Sequence, residues 1–154
     1  VCSSDLKSCW RDYLLMSQIK MFAYGSLREG FFNYDKYLKG NVISNRRAKI
    51  KDVVLYHMPY KGYPAVLSGL GEVVGEVMEF SNYDEVMEAV DKMEGVLGEG
   101  NPNNEYNKVL VEVEFEDGTK EKCYSYFYNK SIDTRFHDEA VLVEHGDWKK
   151  HMTK

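Results

Sequence analysis

Three short stretches carry residue types whose spacing can do chemistry. In "SNYDEVMEAVDKMEG", Ser81 to Gly95, the apolar residues Tyr83, Val86, Met87 and Val90 recur at helical spacing, and the next position on that stripe is Glu94. An anion there is disfavoured twice, by burial and by the negative end of the helix dipole, and both push its pKa upward. That direction suits a proton carrier working near neutrality. The competing reading is a frayed helix end with Glu94 in water.

The second stretch is "MFAYGSLREG", Met21 to Gly30, where an apolar run ends abruptly in Gly25-Ser26. A strand that stops in such a corner leaves backbone N–H groups in a concave turn. That turn can hold an anion, and the missing Cβ of Gly25 allows close approach. Ser26 adds a hydroxyl. A plain tight turn after a buried strand is the alternative. The third is Glu76 in the alternating run "GEVVGEVMEF", Gly71 to Phe80, a second acid/base candidate for which a buried structural hydrogen bond is the favoured reading.

These groups must be positioned by the elements around them. Met21 to Tyr24 reads as a strand, and "FFNYDKYLKG", Phe31 to Gly40, as a short helix or partly helical loop. "AKIKDVVLYHM" (Ala48 to Met58), "YPAVLSG" (Tyr63 to Gly69) and Gly71 to Phe80 read as three strands. Gly75 lies opposite the Val74, Glu76, Met78 and Phe80 face and permits a close backbone approach. In the helix Ser81 to Gly95, Ser81 is the expected N-cap and Gly95 the C′ residue.

"YNKVLVEVEFEDGTKEKCYSYFYN", Tyr106 to Asn129, reads as a hairpin about Asp117-Gly118. A two-residue turn there sets Val109 opposite Tyr126, Val111 opposite Tyr124 and Val113 opposite Lys122, with both tyrosines inward. The Gly/Asn/Pro loop Val96 to Glu105 is placed to rim a site. The tail from Ser131 reads as polar and mostly irregular, apart from Ala140 to Val143 and the "HGDW" turn at His145 to Trp148. Strands, one strong helix and a hairpin without repeated βαβ units predict an α+β chain whose mixed sheet curls towards a barrel, flanked by a few helices.

Composition narrows the function classes. The 154 residues carry a net charge of −5 and suit one domain with one core. No apolar run approaches the roughly 18 residues that span a bilayer, so no membrane role is expected. The acidic balance argues against a nucleic-acid partner. The basic cluster "NRRAKIK", Asn45 to Lys51, reads as the solvated face of a strand. The four histidines never take a metal-binding spacing, there is no CxxC, GxGxxG or Walker lysine, and no GxSxG surrounds Ser26. No metal or cofactor is therefore expected.

The first twenty residues read differently from the rest. They lack the apolar core of a secretory signal, and "VCSSDL" back-translates to a codon string resembling a sequencing-adapter end. Translation is expected to start at Met16 or Met21, with residues 1–20 a non-native or disordered extension and 21–154 the domain. Setting Cys2 and Cys9 aside leaves Cys123 alone, which points to a reducing, cytoplasmic compartment.

"YGSLREG", "GYPAV", "VVGEVMEF", "VDKMEG", a hairpin ending "YSYFY", and "HGDW", in this order over most of Met21 to Trp148, resemble the γ-glutamylcyclotransferase-like family. The resemblance implies a closed mixed β-barrel flanked by helices, a pocket at one mouth, no cofactor, and release of 5-oxoproline from a small γ-glutamyl amide or amine. It implies Glu94 as the acid/base, and Tyr24, Gly25, Ser26 and Leu27 lining the pocket with N–H groups on the glutamyl carboxylate. Tyr126 hydrogen-bonds or walls the pocket. Family members often carry Tyr-x-Arg where this chain has Tyr106-Asn107-Lys108, which keeps the charge and loses the planar fork. A non-catalytic module that binds a small ligand on the same fold is the alternative. The leaving amine and the oligomeric state stay open.

Overall fold

The computed structural model describes residues 18–153. The expected start at Met16, with Cys2 and Cys9, lies outside the described residues. β1 (Met21–Ala23) leads into a loop that winds through a single π-helical turn, Tyr34–Leu38. Two long strands follow, β2 (Val42–Met58) and β3 (Tyr63–Phe80). Helix α1 (Tyr83–Met93), the hairpin β4 (Tyr106–Phe115) and β5 (Lys120–Tyr128), a 3₁₀ turn (Lys130–Ile132), α2 (Phe136–Glu139), β6 (Val141–Leu142) and α3 (Trp148–Met152) complete the order.

The strands run β3-β1-β5-β4-β2, and β2 pairs again with β3, which closes a five-stranded barrel; β6 extends β2. β1 runs parallel to β5, and the other pairings are antiparallel, so the sheet is mixed. Closure removes the free edges an open sheet would expose. The expected α+β barrel with a few helices is what forms.

Alternation along β1 divides the core. Phe22 joins Ile50, Val73, Val77, Val113 and Cys123 in a cluster drawn from all five barrel strands, closed at one side by Val143 and Trp148. Met21 and Ala23 point the other way, into a cluster with Met78, Phe80, Tyr126, Tyr128 and the helix residues Val86, Met87 and Val90. Full burial of such side chains stabilises by roughly 1.5–3 kcal/mol each, which holds α1 against the barrel more firmly than its own propensity would. At Gly75 an added Cβ would lie 2.3 Å from the Ala23 carbonyl oxygen, the close approach expected there.

Four readings need correction. The expected strands Tyr63 to Gly69 and Gly71 to Phe80 are one strand. Leu70 bulges out, fully exposed, where Val53 pairs with both Ser68 and Gly71. The N-cap of α1 is Asn82, in a left-handed conformation with no side-chain cap bond, while the Ser81 hydroxyl donates to the Asn41 carbonyl instead. The hairpin register is slipped by one: Val109 faces Ser125, Val111 faces Cys123 and Val113 faces Glu121.

The cause of the slip is local. Thr119 pairs with Phe115 and Gly118 has φ +88°, so the loop has three residues with a left-handed glycine last, and the Asp117 carboxylate accepts from the Thr119 N–H and hydroxyl. The tyrosine face survives, with Tyr126 and Tyr128 buried and Tyr124 half-buried. Finally, the tail is more ordered than its composition indicates. β6 pairs with Tyr56 and His57, and buried Trp148 donates through its indole N–H to His57 Nδ1.

Candidate active site

The corner after β1 is built by two closures: Arg28 N–H donates to the Gly25 carbonyl at 3.0 Å, and Tyr34 N–H to the Ser26 carbonyl at 3.2 Å. The N–H groups of Gly25, Ser26 and Leu27 find no acceptor among the described residues. A concave run of free donors is a nest for an anion. Gly25 is required by contact, since a Cβ there would lie 2.6 Å from Pro64 Cγ. Asn33 donates to the Ser26 hydroxyl at 2.8 Å and so orients it.

The loop is anchored behind the nest. The buried Arg28 guanidinium donates to Glu76 at 2.7 Å and to Asp147 at 2.8 Å, and Glu76 also accepts from Glu29 N–H and Asn45. Glu76 is therefore fully committed to structure, and the carboxylates of the tail and of β3 fix the shape of the corner from behind.

Glu94 is the C-cap of α1. Val96 N–H donates to the Asp91 carbonyl and Gly95 N–H to the Lys92 carbonyl, the paired bonds of a Schellman ending, with Gly95 at φ +71°. Two further bonds tie this ending to β4 and its approach, Tyr106 N–H to the Glu94 carbonyl and Glu105 N–H to the Gly95 carbonyl. The helix ends as expected and does not fray.

The side chain of Glu94 keeps part of its surface open to a cavity of about 120 Å³ and accepts no hydrogen bond from any described residue. Protein surrounds it on its other sides. Burial first, then the charges of Glu105 and Asp91, push its pKa up from 4.5 to about 8.

The cavity gathers all six residues expected from the sequence: Tyr24, Gly25, Ser26, Leu27, Glu94 and Tyr126. Tyr126 acts as a wall, since its hydroxyl donates to Asp91 at 2.5 Å, and Tyr24 donates to the Tyr126 carbonyl at 2.6 Å. Burial and the Glu94 charge raise the Tyr24 pKa, so its hydroxyl stays protonated. Lys108, of the Tyr-x-Lys variation, sits with Asp91 and outside the cavity wall.

Sequence reasoning missed Asn33, Tyr63, Met93 and Glu105, all of which line the cavity. Glu105 closes the loop expected to rim the site, and that placement was its only signal. Its carboxylate accepts from Tyr63 at 2.9 Å. Among the described residues no group of three metal-ligating side chains assembles, and the Cys123 thiol is buried, with burial the main cause pushing its pKa up to about 12.

In a small closed barrel, a corner of free backbone donors after the first strand and a carboxyl of raised pKa line one small cavity. Residues 21–150 match the family described as gamma-glutamyl cyclotransferase, AIG2-like, and the chain belongs to this family and is an enzyme of that type.

A relative from Niallia circulans, the gamma-L-glutamyl-butirosin B gamma-glutamyl cyclotransferase, is 32% identical over 133 residues, covering 85% of this chain and 76% of its own. An AIG2-like protein from Mus musculus shares the fold with a TM-score of 0.64 at 19% identity, over 84% of this chain and 86% of its own. A protein from Pyrococcus horikoshii does so with a TM-score of 0.59 at 23% identity, over 88% and 93%. No helix among the described residues is long and apolar enough to cross a membrane.

Proposed function

We propose that the protein releases 5-oxoproline from a small γ-glutamyl amine or amide by intramolecular cyclisation, in the cytoplasm, with Glu94 as the acid/base. The observation that carries this is the position of a free carboxyl, its pKa raised to about 8, in the same cavity as three unpaired N–H donors. The N–H groups of Gly25, Ser26 and Leu27 hold the glutamyl α-carboxylate. That places the α-amine and the γ-carbonyl towards Glu94.

Glu94 takes a proton from the α-ammonium, and the freed amine nitrogen attacks the γ-carbonyl carbon. The new C–N bond closes the five-membered lactam as the bond to the leaving nitrogen breaks. Glu94 returns that proton to the leaving nitrogen and then takes the second proton of the attacking nitrogen, leaving a neutral lactam N–H. The released amine carries that proton away as its ammonium, so Glu94 is regenerated and no water is consumed. Nucleophile and electrophile are tethered from the start, so fixing the reactive rotamer supplies several kcal/mol by analogy with effective-molarity effects. A placed acid/base typically contributes about 10²- to 10⁴-fold. A module that only binds ligand gains nothing from a carboxyl whose burial opposes its ionisation, so the raised pKa favours catalysis.

The test is release of 5-oxoproline from a panel of γ-glutamyl amines and amides, with Glu94→Gln alongside. Loss of two or more orders of magnitude in kcat by a variant with an unchanged circular-dichroism spectrum is expected. Equal turnover by the variant would remove Glu94 from the chemistry.

A further inference from the structure

Four tyrosine side chains line the cavity together with Glu94: Tyr24, Tyr63, Tyr106 and Tyr126. Burial first, with the Glu94 charge among the further causes, raises the pKa of each, so all four hydroxyls keep their protons. A hydroxyl that donates to a carboxylate favours its charged form and lowers its pKa. None of the four donates to Glu94. Tyr24 donates to the Tyr126 carbonyl at 2.6 Å, Tyr106 to the Pro64 carbonyl at 2.5 Å, Tyr63 to Glu105 at 2.9 Å and Tyr126 to Asp91 at 2.5 Å.

Two of these acceptors are backbone carbonyls, fixed by the strands that carry them. The other two are side chains, and their identity is a choice of the sequence. Asp91 lies one turn before Glu94 on α1, and its two oxygens are divided: one accepts from Tyr126, the other takes the Lys108 ammonium at 3.2 Å. Lys108 also lies over the Tyr124 ring at 4.5 Å. Neither Asp91 nor Lys108 lines the cavity. The Tyr-x-Lys variation thus has a task, since a single ammonium contact to one oxygen needs no planar fork.

Resting on the reading of Glu94 as the acid/base, we propose that Asp91 is a positioning residue for it: Asp91 takes the Tyr126 hydroxyl away from Glu94 and leaves that carboxyl bare for the substrate's nitrogen, while Lys108 balances the Asp91 charge from outside. The charge of Asp91 works in the same direction, being the third cause of the raised Glu94 pKa after burial and Glu105.

The test reads the Glu94 carboxyl itself, by carbon-13 NMR of the full chain labelled at glutamate Cδ, with Glu94→Gln identifying its resonance. The pH dependence of kcat/KM on γ-glutamyl amines is measured alongside. Asp91→Leu removes both acceptor and charge and should lower the titration midpoint of Glu94 by about one pH unit or more. Asp91→Asn keeps an oxygen that accepts the hydroxyl and should lower it by less. Tyr126→Phe should leave the midpoint in place by itself, yet raise it again when added to Asp91→Leu, a non-additive pair. Lys108→Met should move the midpoint upward, and Lys108→Arg should hold it at the parent value.

A midpoint that Asp91→Leu leaves unmoved, or that Tyr126→Phe shifts equally in both backgrounds, overturns the proposal, because the hydroxyl is then not what Asp91 withholds. Asp91→Ala replaces the leucine variant if that one does not fold. A midpoint that Lys108→Met leaves unmoved or lowers removes Lys108 from the arrangement. If the midpoints move as expected and no γ-glutamyl compound turns over, the positioning of the carboxyl stands and only the cyclisation reading fails.

Discussion

Glu94 and Glu105 face one cavity from backbone segments that hydrogen-bond to each other, and a Cβ on the intervening Gly95 would lie 2.8 Å from Glu105 Cβ. A negative charge beside the Glu94 carboxyl disfavours its ionisation. After burial, the charge of Glu105 is the second cause of the raised pKa of Glu94.

The pH dependence of activity follows. Glu94 must be ionised to take the substrate proton, so kcat/KM should rise with pH through about 8. Glu105→Gln removes a negative neighbour and should move that limb to lower pH. A pH–rate profile of both proteins checks the shift; an unmoved limb would separate Glu105 from the titration.

Stability should run the other way. The pKa of Glu94 in the fold, about 8, lies above its ordinary 4.5, so between these values the native state holds a proton that the unfolded chain has released. Its contribution is therefore most favourable below about 4.5 and falls as pH rises through about 8. Glu94→Gln should melt higher than the parent protein above pH 8, with the gap closing towards pH 4.5. Thermal melts across that range measure it.

Gly25→Ala should damage binding more than folding. The added methyl meets Pro64 Cγ at 2.6 Å, and either the nest or Pro64 has to shift. A displacement of this kind at a positioning element costs on the order of 10²-fold. The expected outcome is a higher KM and lower kcat/KM, read by steady-state kinetics, with a melting temperature lowered by only a few degrees.

Arg28→Met tests the anchor behind the nest. It would leave the buried Glu76 without its cation and the half-buried Asp147 with only the looser Arg47 pair at 3.8 Å, and breaking a buried pair from one side costs about 3–5 kcal/mol. Adding Glu76→Leu should recover part of that loss, because the orphaned charge is removed. Denaturant titration of the single and double variants gives both values, and an additive double variant would contradict the coupling.

Local patterns in the chain were enough to mark α1, its Gly95 ending, the turn after β1 and the place of Glu94 on the helix stripe, because each rests on contacts within a few residues: stripe spacing, a C′ glycine, a strand that stops in Gly-Ser. The strand pattern likewise specified a mixed barrel, since alternating runs without crossover helices have few ways to bury both faces. What sequence reasoning lost was decided between distant segments. The hairpin slipped by one residue because Asp117 caps its own loop through Thr119, a side-chain choice that turn chemistry alone left open. Glu105 looked like a loop residue until the Gly95 and Tyr106 bonds set it beside Glu94. For Glu76 a buried structural hydrogen bond was the favoured reading, but its partner, Arg28, 48 residues away, was fixed only by the barrel wall. The raised pKa of Glu94 had its direction in the sequence, but its size came from burial and from two neighbouring carboxylates that only the closed barrel brings together.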